Sequence, residues 1–322
     1  MHVWGDGVVD KVFRTHDEQL SILQQRGMII STPNVARAIL EQENYYRLVN
    51  GYKDLFLQAG FLDRYKSGTT FEELVALYEF DFRLRHALLR QILRAEVHLK
   101  SRIAYRFSER YGHKNYLDAA NFETSSSSVR IRQIQAIVQV LQEEINQQHA
   151  MKQGPVAHYQ TTKGYVPLWV LIDRLTLGTA SRFYAAMKTR DRQAVAAQYR
   201  ISEDALRNVL SLLSLARNRC AHNERIYDFT SPKIVLKDHR VHELLGIRRN
   251  ANGYAYAKRD LLAIVIGLRL LLEENAFQQL ASDLQQACNA LSSALQVITL
   301  TDVLAAMGFV PNWQDLRSIK PK

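Results

Sequence analysis

Between Phe71 and Tyr111 the chain runs through four tens of residues without a proline or a glycine, and Gly112 follows at once. Within that stretch Leu77, Phe80, Leu84, Leu88, Ile92, Ala95, Leu99, Ile103 and Phe107 recur every three or four residues, the period of one helix face. The spacing predicts one long helix, or two stacked shorter ones, ended by Gly112. On a 100° wheel Arg83, Arg90 and Arg94 fall opposite the apolar stripe, as a solvated face would. Asp81, Arg85 and Glu96 fall on or beside it, so three ionisable groups border the interior.

Helical periodicity holds almost everywhere else. Asp17 to Gln25 reads as a short helix stopped by Gly27; a second begins at Pro33 with Ser31 or Thr32 as its cap, and Gly51 ends or breaks it. Further helical runs cover Ile131 to Ile145, Leu168 to Met187 with Gly178 as a weak point or close-packing site, and Ala205 to His222. Two more cover Asp260 to Leu300. "KQGPVAHYQTTKGYVPLW" reads as a loop punctuated by Gly154, Pro155, Gly164 and Pro167, and Pro232 to Lys258 as a loop-like insertion with room for a short β-hairpin at "NANGYAY". The expected architecture is all-α: an N-terminal helical segment, residues 1–70, and a helical domain, residues 71–322, with a loop insertion at about 230–258.

Composition narrows the function classes. The net charge is +10, and the cationic excess is mostly arginine, whose planar fork grips phosphate with two parallel bonds. A nucleic acid is the first partner to test. The two cysteines, Cys220 and Cys288, are too few for a disulfide framework and lack metal-ligand spacing, which fits a reducing cytoplasm. "MHVWGDGVVDKVF" is acidic where a secretory leader is basic, and "LLAIVIGLRLLL" (Leu261 to Leu272) is too short for a membrane span and reads as a buried helix. Gly-rich phosphate loops and nucleophilic triads are absent from the sequence, and no cofactor is expected.

The most informative stretch is "LARNRCAHNERIYDF", Leu215 to Phe229. An Arg followed five residues later by a His is expected roughly 0.9 times by chance in a chain of this composition, so the spacing alone carries nothing. Its placement carries more. Leu206, Val209, Leu210, Leu212, Leu213, Leu215 and Ala216 make this helix apolar over most of its circumference, which is the pattern of a central helix. One polar stripe remains, Arg207, Ser211, Ser214, Asn218, His222 and Arg225, and Arg217 sits at its border with the buried side. A cluster of basic residues compensating the helix dipole explains these residues without any chemistry. A phosphodiester site explains them too. There His222 serves as general acid or base on a ribose 2′-hydroxyl or leaving oxygen, Arg217 neutralises charge on the phosphate, and Asn218 orients one or the other, with no metal required.

"RNRCAH" resembles the Arg-x4-6-His motif of HEPN-superfamily ribonucleases. The chain as a whole resembles the Abi-like (abortive infection) bacteriophage-resistance proteins through an ordered set of segments: "EQLSILQQRGMII" from Glu18, "NYYRLVNGY" from Asn44, "FEELVALYEFDFRLR" from Phe71, "VPLWVLIDRLTLGTASRFY" from Val166, "LARNRCAHNERIYD" and "MGFVPNW" from Met307. Residues 124–162 match no signature. The resemblance implies an all-α HEPN bundle, usually a homodimer with two Arg/His motifs facing each other across a composite cleft. It also implies metal-independent endoribonuclease activity leaving 2′,3′-cyclic phosphate and 5′-hydroxyl ends. Proteins of this kind act as toxins or phage-triggered effectors restrained by a partner, in some relatives a small non-coding RNA.

On this reading Arg217, His222 and Asn218 form the catalytic set, with Glu96 and Arg85 as candidate support from a neighbouring helix; a salt bridge of Glu96 to Arg85 or Lys100 is the purely structural alternative. Arg219 and Arg225, and Tyr46, Arg47 and Lys53 in "NYYRLVNGY", are candidate RNA contacts, since tyrosines interleaved with cations suit base stacking beside phosphate. Packing of Tyr45, Tyr46 and Tyr52 into the core explains the same residues. His239 and His242 lack a third ligand for zinc. Two other classes stay open at this point: a non-catalytic RNA-binding module using the same basic cleft, and a helical DNA-binding regulator with a helix-turn-helix around Asn34 to Tyr52.

Overall fold

A computed structural model describes residues 12–123, 127–251 and 253–320. The first eleven residues, read above for a leader, and Ser125 and Ser126 of the serine patch lie outside the described residues, as does Asn252 of "NANGYAY". The fold is all-α. In chain order the helices are α1 (His16–Gln25), α2 (Pro33–Gln42), α3 (Phe71–Tyr111), α4 (Ser128–Ala150), α5 (Gly154–Lys163), α6 (Leu168–Leu171), α7 (Leu177–Ala186), α8 (Thr189–Ala197) and α9 (Glu203–Ala221). They continue with α10 (Arg240–Leu244), α11 (Leu261–Leu271), α12 (Glu274–Ser292) and α13 (Leu300–Ala306). A two-residue antiparallel hairpin, β1 (Arg249–Asn250) with β2 (Gly253–Tyr254), sits in the insertion where the sequence leaves room for one.

The chain divides into two compact units. The first comprises the described residues up to Asp81 together with Ala287–Val303; the second comprises Phe82–Gln286 and the residues from Leu304 onward. In the first unit a distant segment is bound by one buried carboxylate. Glu73, in the first turn of α3 and 1% exposed, accepts backbone N–H bonds at Oε1 from Gln296 (2.8 Å), Val297 (2.7 Å) and Ile298 (3.2 Å). The same unit is pinned by the buried Tyr52 hydroxyl, which donates to Asp81 at 2.7 Å, and by a capping box at the start of α1 between Thr15 and Glu18.

In the second unit α4 packs on α5 and α7, and α9 packs on α7, α8 and α11. All nine apolar residues of the α3 stripe are buried, as the periodicity predicts, and Asp81, Arg85 and Glu96 are buried with them, whereas Arg83, Arg90 and Arg94 are exposed. The α11 segment is buried along its whole length, Arg269 included; that guanidinium donates to the Ile319 carbonyl (2.9 Å) and to Glu274 (2.9 Å).

Three segments differ from the sequence reading. Residues 154–163, read as loop, form α5: Pro155 stands in the first turn, where its missing N–H costs nothing, and Gly164 at φ 73° provides the left-handed stop. The run from Leu168 to Met187 is broken at Ile172–Arg174 into α6 and α7, and Gly178 is a close-packing site, since a Cβ there would lie 3.0 Å from Ser214 Oγ. The insertion holds a short helix, α10, besides the hairpin.

Candidate active site

Helix α9 is positioned at both ends and along its length. Ser202 caps it, its Oγ accepting from the Ala205 N–H at 3.2 Å, and Arg192 of α8 pairs with Glu203 in its first turn. Along the barrel two glycines let neighbours approach: Gly178 of α7 against Ser214, and Gly267 of α11, whose added Cβ would sit 3.2 Å from Val209. Ala205, Leu206, Val209, Leu210, Leu212, Leu213, Ala216 and Cys220 are buried, so α9 is central to its unit as its apolar circumference predicts. Leu215 departs from that pattern at 36% exposure; it lies between Arg219 and the polar stripe rather than in the core.

The C-terminal turn carries the candidate chemistry. His222 is the cap residue, and Asn223 follows at φ 56°, in the left-handed region. Glu224 N–H donates to the Arg219 carbonyl (2.9 Å) and Asn223 N–H to that of Cys220 (3.3 Å), the paired bonds of a Schellman stop. This turn fixes the backbone of His222. The chain then folds back, burying Ile226, Tyr227 and Phe229. Asn218 and His222 are both exposed on this end of α9, and their side chains make no hydrogen bond within the described residues. Arg217 is half-buried; its Nε is shielded from solvent with no hydrogen-bond partner, and no carboxylate among the described residues pairs with it. The solvent-facing end of this guanidinium, which no carboxylate among the described residues engages, is available to an anion such as a phosphate oxygen.

The neighbouring arginines are more committed. Arg219 lies over the Phe229 ring at 5.0 Å, and Arg225 pairs with Asp228 at 2.6 Å and lies 5.6 Å from the Tyr227 ring. Both stabilise the fold-back, while leaving part of each guanidinium accessible. Asn223, which sequence reasoning did not single out, holds the geometry; the available signal was an Asn directly after the cap residue.

The other candidates separate. Glu96 forms a buried ion pair with Lys100 at 2.6 Å, one turn along its own helix, which is the structural alternative weighed for it. Arg85 is buried with its guanidinium 5.6 Å from the Phe82 ring. Neither residue is brought to Arg217 by a contact described here, and the helices α9 packs on most extensively are α7, α8 and α11. The tyrosines of "NYYRLVNGY" split: Tyr52 is core, whereas Tyr46 is 70% exposed and lines a pocket of about 940 Å³ in the first unit with Lys53; Arg47 is exposed outside that wall. The segment from Asn34 to Tyr52 is α2 followed by a short helical stretch, residues 45–52, that is π-helical over Tyr46–Asn50. His239 caps α10 by accepting from Val241 N–H, and His242 is wholly buried, bonded to the Ala257 carbonyl and stacked on Tyr254 at 4.9 Å. Among the described residues no group of three or more His, Cys, Asp or Glu side chains is arranged to hold a metal ion, and no helix is long and apolar enough to cross a membrane.

A family model described as "Abi-like protein" matches residues 38–228, more than half of the chain, a span that runs from α2 through the Schellman stop to Asp228. No curated protein and no solved structure matches.

Proposed function

Because the chain belongs to the Abi-like family, which suggests a role in abortive-infection defence against phage, we propose that it is a metal-independent endoribonuclease whose site is the C-terminal turn of α9. The observation that carries this reading is the guanidinium of Arg217, paired with no carboxylate among the described residues, within the last turn and a half of the helix end that carries the exposed, unbonded side chains of Asn218 and His222. In the reaction His222 takes the proton of a ribose 2′-hydroxyl. The 2′-oxygen attacks the adjacent phosphorus, the bond from phosphorus to the 5′-oxygen breaks, and that oxygen is protonated as it leaves. The products are a 2′,3′-cyclic phosphate and a 5′-hydroxyl. Arg217 neutralises the charge that builds on the non-bridging oxygens, a role that removal of a single donor usually exposes as a 10²- to 10³-fold loss, roughly. Asn218 orients the imidazole or the phosphate.

One chain supplies one imidazole to this turn. The leaving oxygen then receives its proton from His222 of the partner subunit in a homodimer, and an exposed apolar run on α3, with Phe82, Leu93 and Val97 at 41–62% exposure, supports pairing of two copies. The net charge of +10 supports RNA as the substrate, and the two buried cysteines, Cys220 and Cys288, neither of them in a disulfide, are consistent with work in the cytoplasm. Restraint falls to a partner, a small non-coding RNA or a protein, identifiable by what copurifies with the chain.

The test is incubation of the purified protein with total RNA in EDTA beside His222→Ala and Arg217→Ala. Both side chains lack protein partners at the atoms in question, so the variants fold. The expected result is cleavage by the parent with cyclic phosphate ends, and loss of at least two orders of magnitude in either variant. Binding without cutting would instead make the chain an RNA-binding module, and equal cutting by His222→Ala would end the catalytic assignment.

A further inference from the structure

We propose that the first unit holds a nucleotide-binding pocket, built between α1 and the Tyr46–Asn50 turn, that takes one unstacked nucleotide with its phosphate. This is independent of the cleavage reading, since no residue of α9 takes part.

The local sequence explains why a pocket forms there. Asn44 Oδ1 accepts the N–H groups of both Tyr46 (2.9 Å) and Arg47 (3.2 Å), starting a widened π-helical turn over Tyr46–Asn50. Such turns carry an extra residue per turn and recur at functional sites. Leu48 and Val49 are fully buried on its inner side, which leaves Tyr45, Tyr46 and Asn50 on the pocket wall. The cavity of about 940 Å³ is of the size that small-molecule sites occupy, roughly 300–1,000 Å³.

Its chemistry is that of a nucleotide receptor. Tyr46, 70% exposed and making no core contact that burial would register, offers a free ring face for a base. Arg14, Arg26 and Lys53 line the wall against one carboxylate, Asp63. That carboxylate holds Lys53 at 2.5 Å and Arg26 at 3.2 Å, so two cations are oriented in advance and an excess of positive charge remains. Arg14 leans on Glu18 only at 3.5 Å and in solvent, a pairing that an arriving phosphate can replace.

One unmet polar group marks the same place. Gln19, a wall residue, donates its amide N–H to the Arg14 carbonyl at 3.1 Å, but its Oε1 is shielded from solvent with no hydrogen-bond partner. Buried polar atoms are nearly always paired, so an orphaned acceptor on a wall residue of the pocket calls for an outside donor. The exocyclic amine of a base or a ribose hydroxyl supplies one.

The ligand chemistry has two sources, a free nucleotide or one residue of a single strand. Full-length protein is titrated with adenosine monophosphate and, separately, with a labelled tetraadenylate methylated at every 2′-oxygen, which the proposed cleavage chemistry cannot cut. Expected is saturable binding of at least one probe that weakens about tenfold in Tyr46→Ala, is retained in Tyr46→Phe, and weakens as salt rises. Binding of the monophosphate assigns the free nucleotide; binding of the tetramer alone assigns a strand. No binding of either probe, or binding indifferent to Tyr46→Ala, overturns the proposal and leaves the α9 assignment untouched.

Discussion

Replacement of Glu73 by alanine should destabilise the first unit by about 3 kcal/mol. One oxygen of this carboxylate receives three backbone donors, two at 2.8 and 2.7 Å and a longer one at 3.2 Å. A net hydrogen bond to a charged group contributes about 1.5–3 kcal/mol, so the two short bonds and a weaker third sum to roughly 4–6 kcal/mol. Against this stands the cost of burying the carboxylate, whose Oε2 has no partner, a penalty of a few kcal/mol. The balance is about 3 kcal/mol, since alanine also leaves donors of residues 296–298 with no acceptor. Glutamine keeps an acceptor oxygen without the charge and should lose about half as much. Urea unfolding followed by tyrosine and tryptophan fluorescence measures both variants. Alanine within about 0.5 kcal/mol of the parent would refute the reasoning, because the segment would then not depend on this acceptor; glutamine as damaging as alanine would refute the even division between acceptor and charge.

Further outcomes follow from other sites. Leu88→Ala, at a position with no exposure on the α3 stripe, should cost about 2–5 kcal/mol in the same unfolding assay; a loss under about 1 kcal/mol would mean the stripe is not close-packed. Asn223→Val should cost about 1–2 kcal/mol by forcing a β-branched residue to φ 56°, and Asn223→Gly should be neutral or stabilising; the reverse order of melting temperatures would deny the Schellman stop. Burial holds His242 below the ordinary imidazole value, so the unfolded chain binds a proton that the folded chain refuses. Its contribution to stability is therefore complete above pH 6.5 and is lost as pH falls below it; a midpoint for urea unfolding that stays constant from pH 7.5 to 5, with no difference from His242→Asn, would contradict this.

Legibility in the sequence followed the range of the force involved. The α3 stripe and the central place of α9 were readable because burial repeats every three or four residues whatever the surroundings. The Glu96 to Lys100 pair was readable as one alternative because both partners lie on one helix. By contrast, α5 was hidden by Pro155 and Gly164, which are loop punctuation inside a run but boundary marks at its ends, and composition alone does not say which. The fates of Tyr46 and Tyr52 hung on an extra residue in one turn, set by Asn44, which shifts every following side chain around the axis. What makes Arg217 a candidate is a missing partner, and a vacancy in three dimensions has no trace in local spacing. Arg219 and Arg225 show the converse: equally basic on paper, they are held by Phe229 and Asp228.

The carboxylate of Glu73 also has a history in time. Its acceptor oxygen waits for N–H groups up to 225 residues further along the chain. At a synthesis rate of about 5–20 residues per second, roughly 10–45 s separate the emergence of the two halves of that contact from the ribosome. Throughout that interval the first unit lacks its segment Ala287–Val303, and it closes only once that segment has been made. A message truncated before Ala287 therefore yields a chain whose first unit never completes.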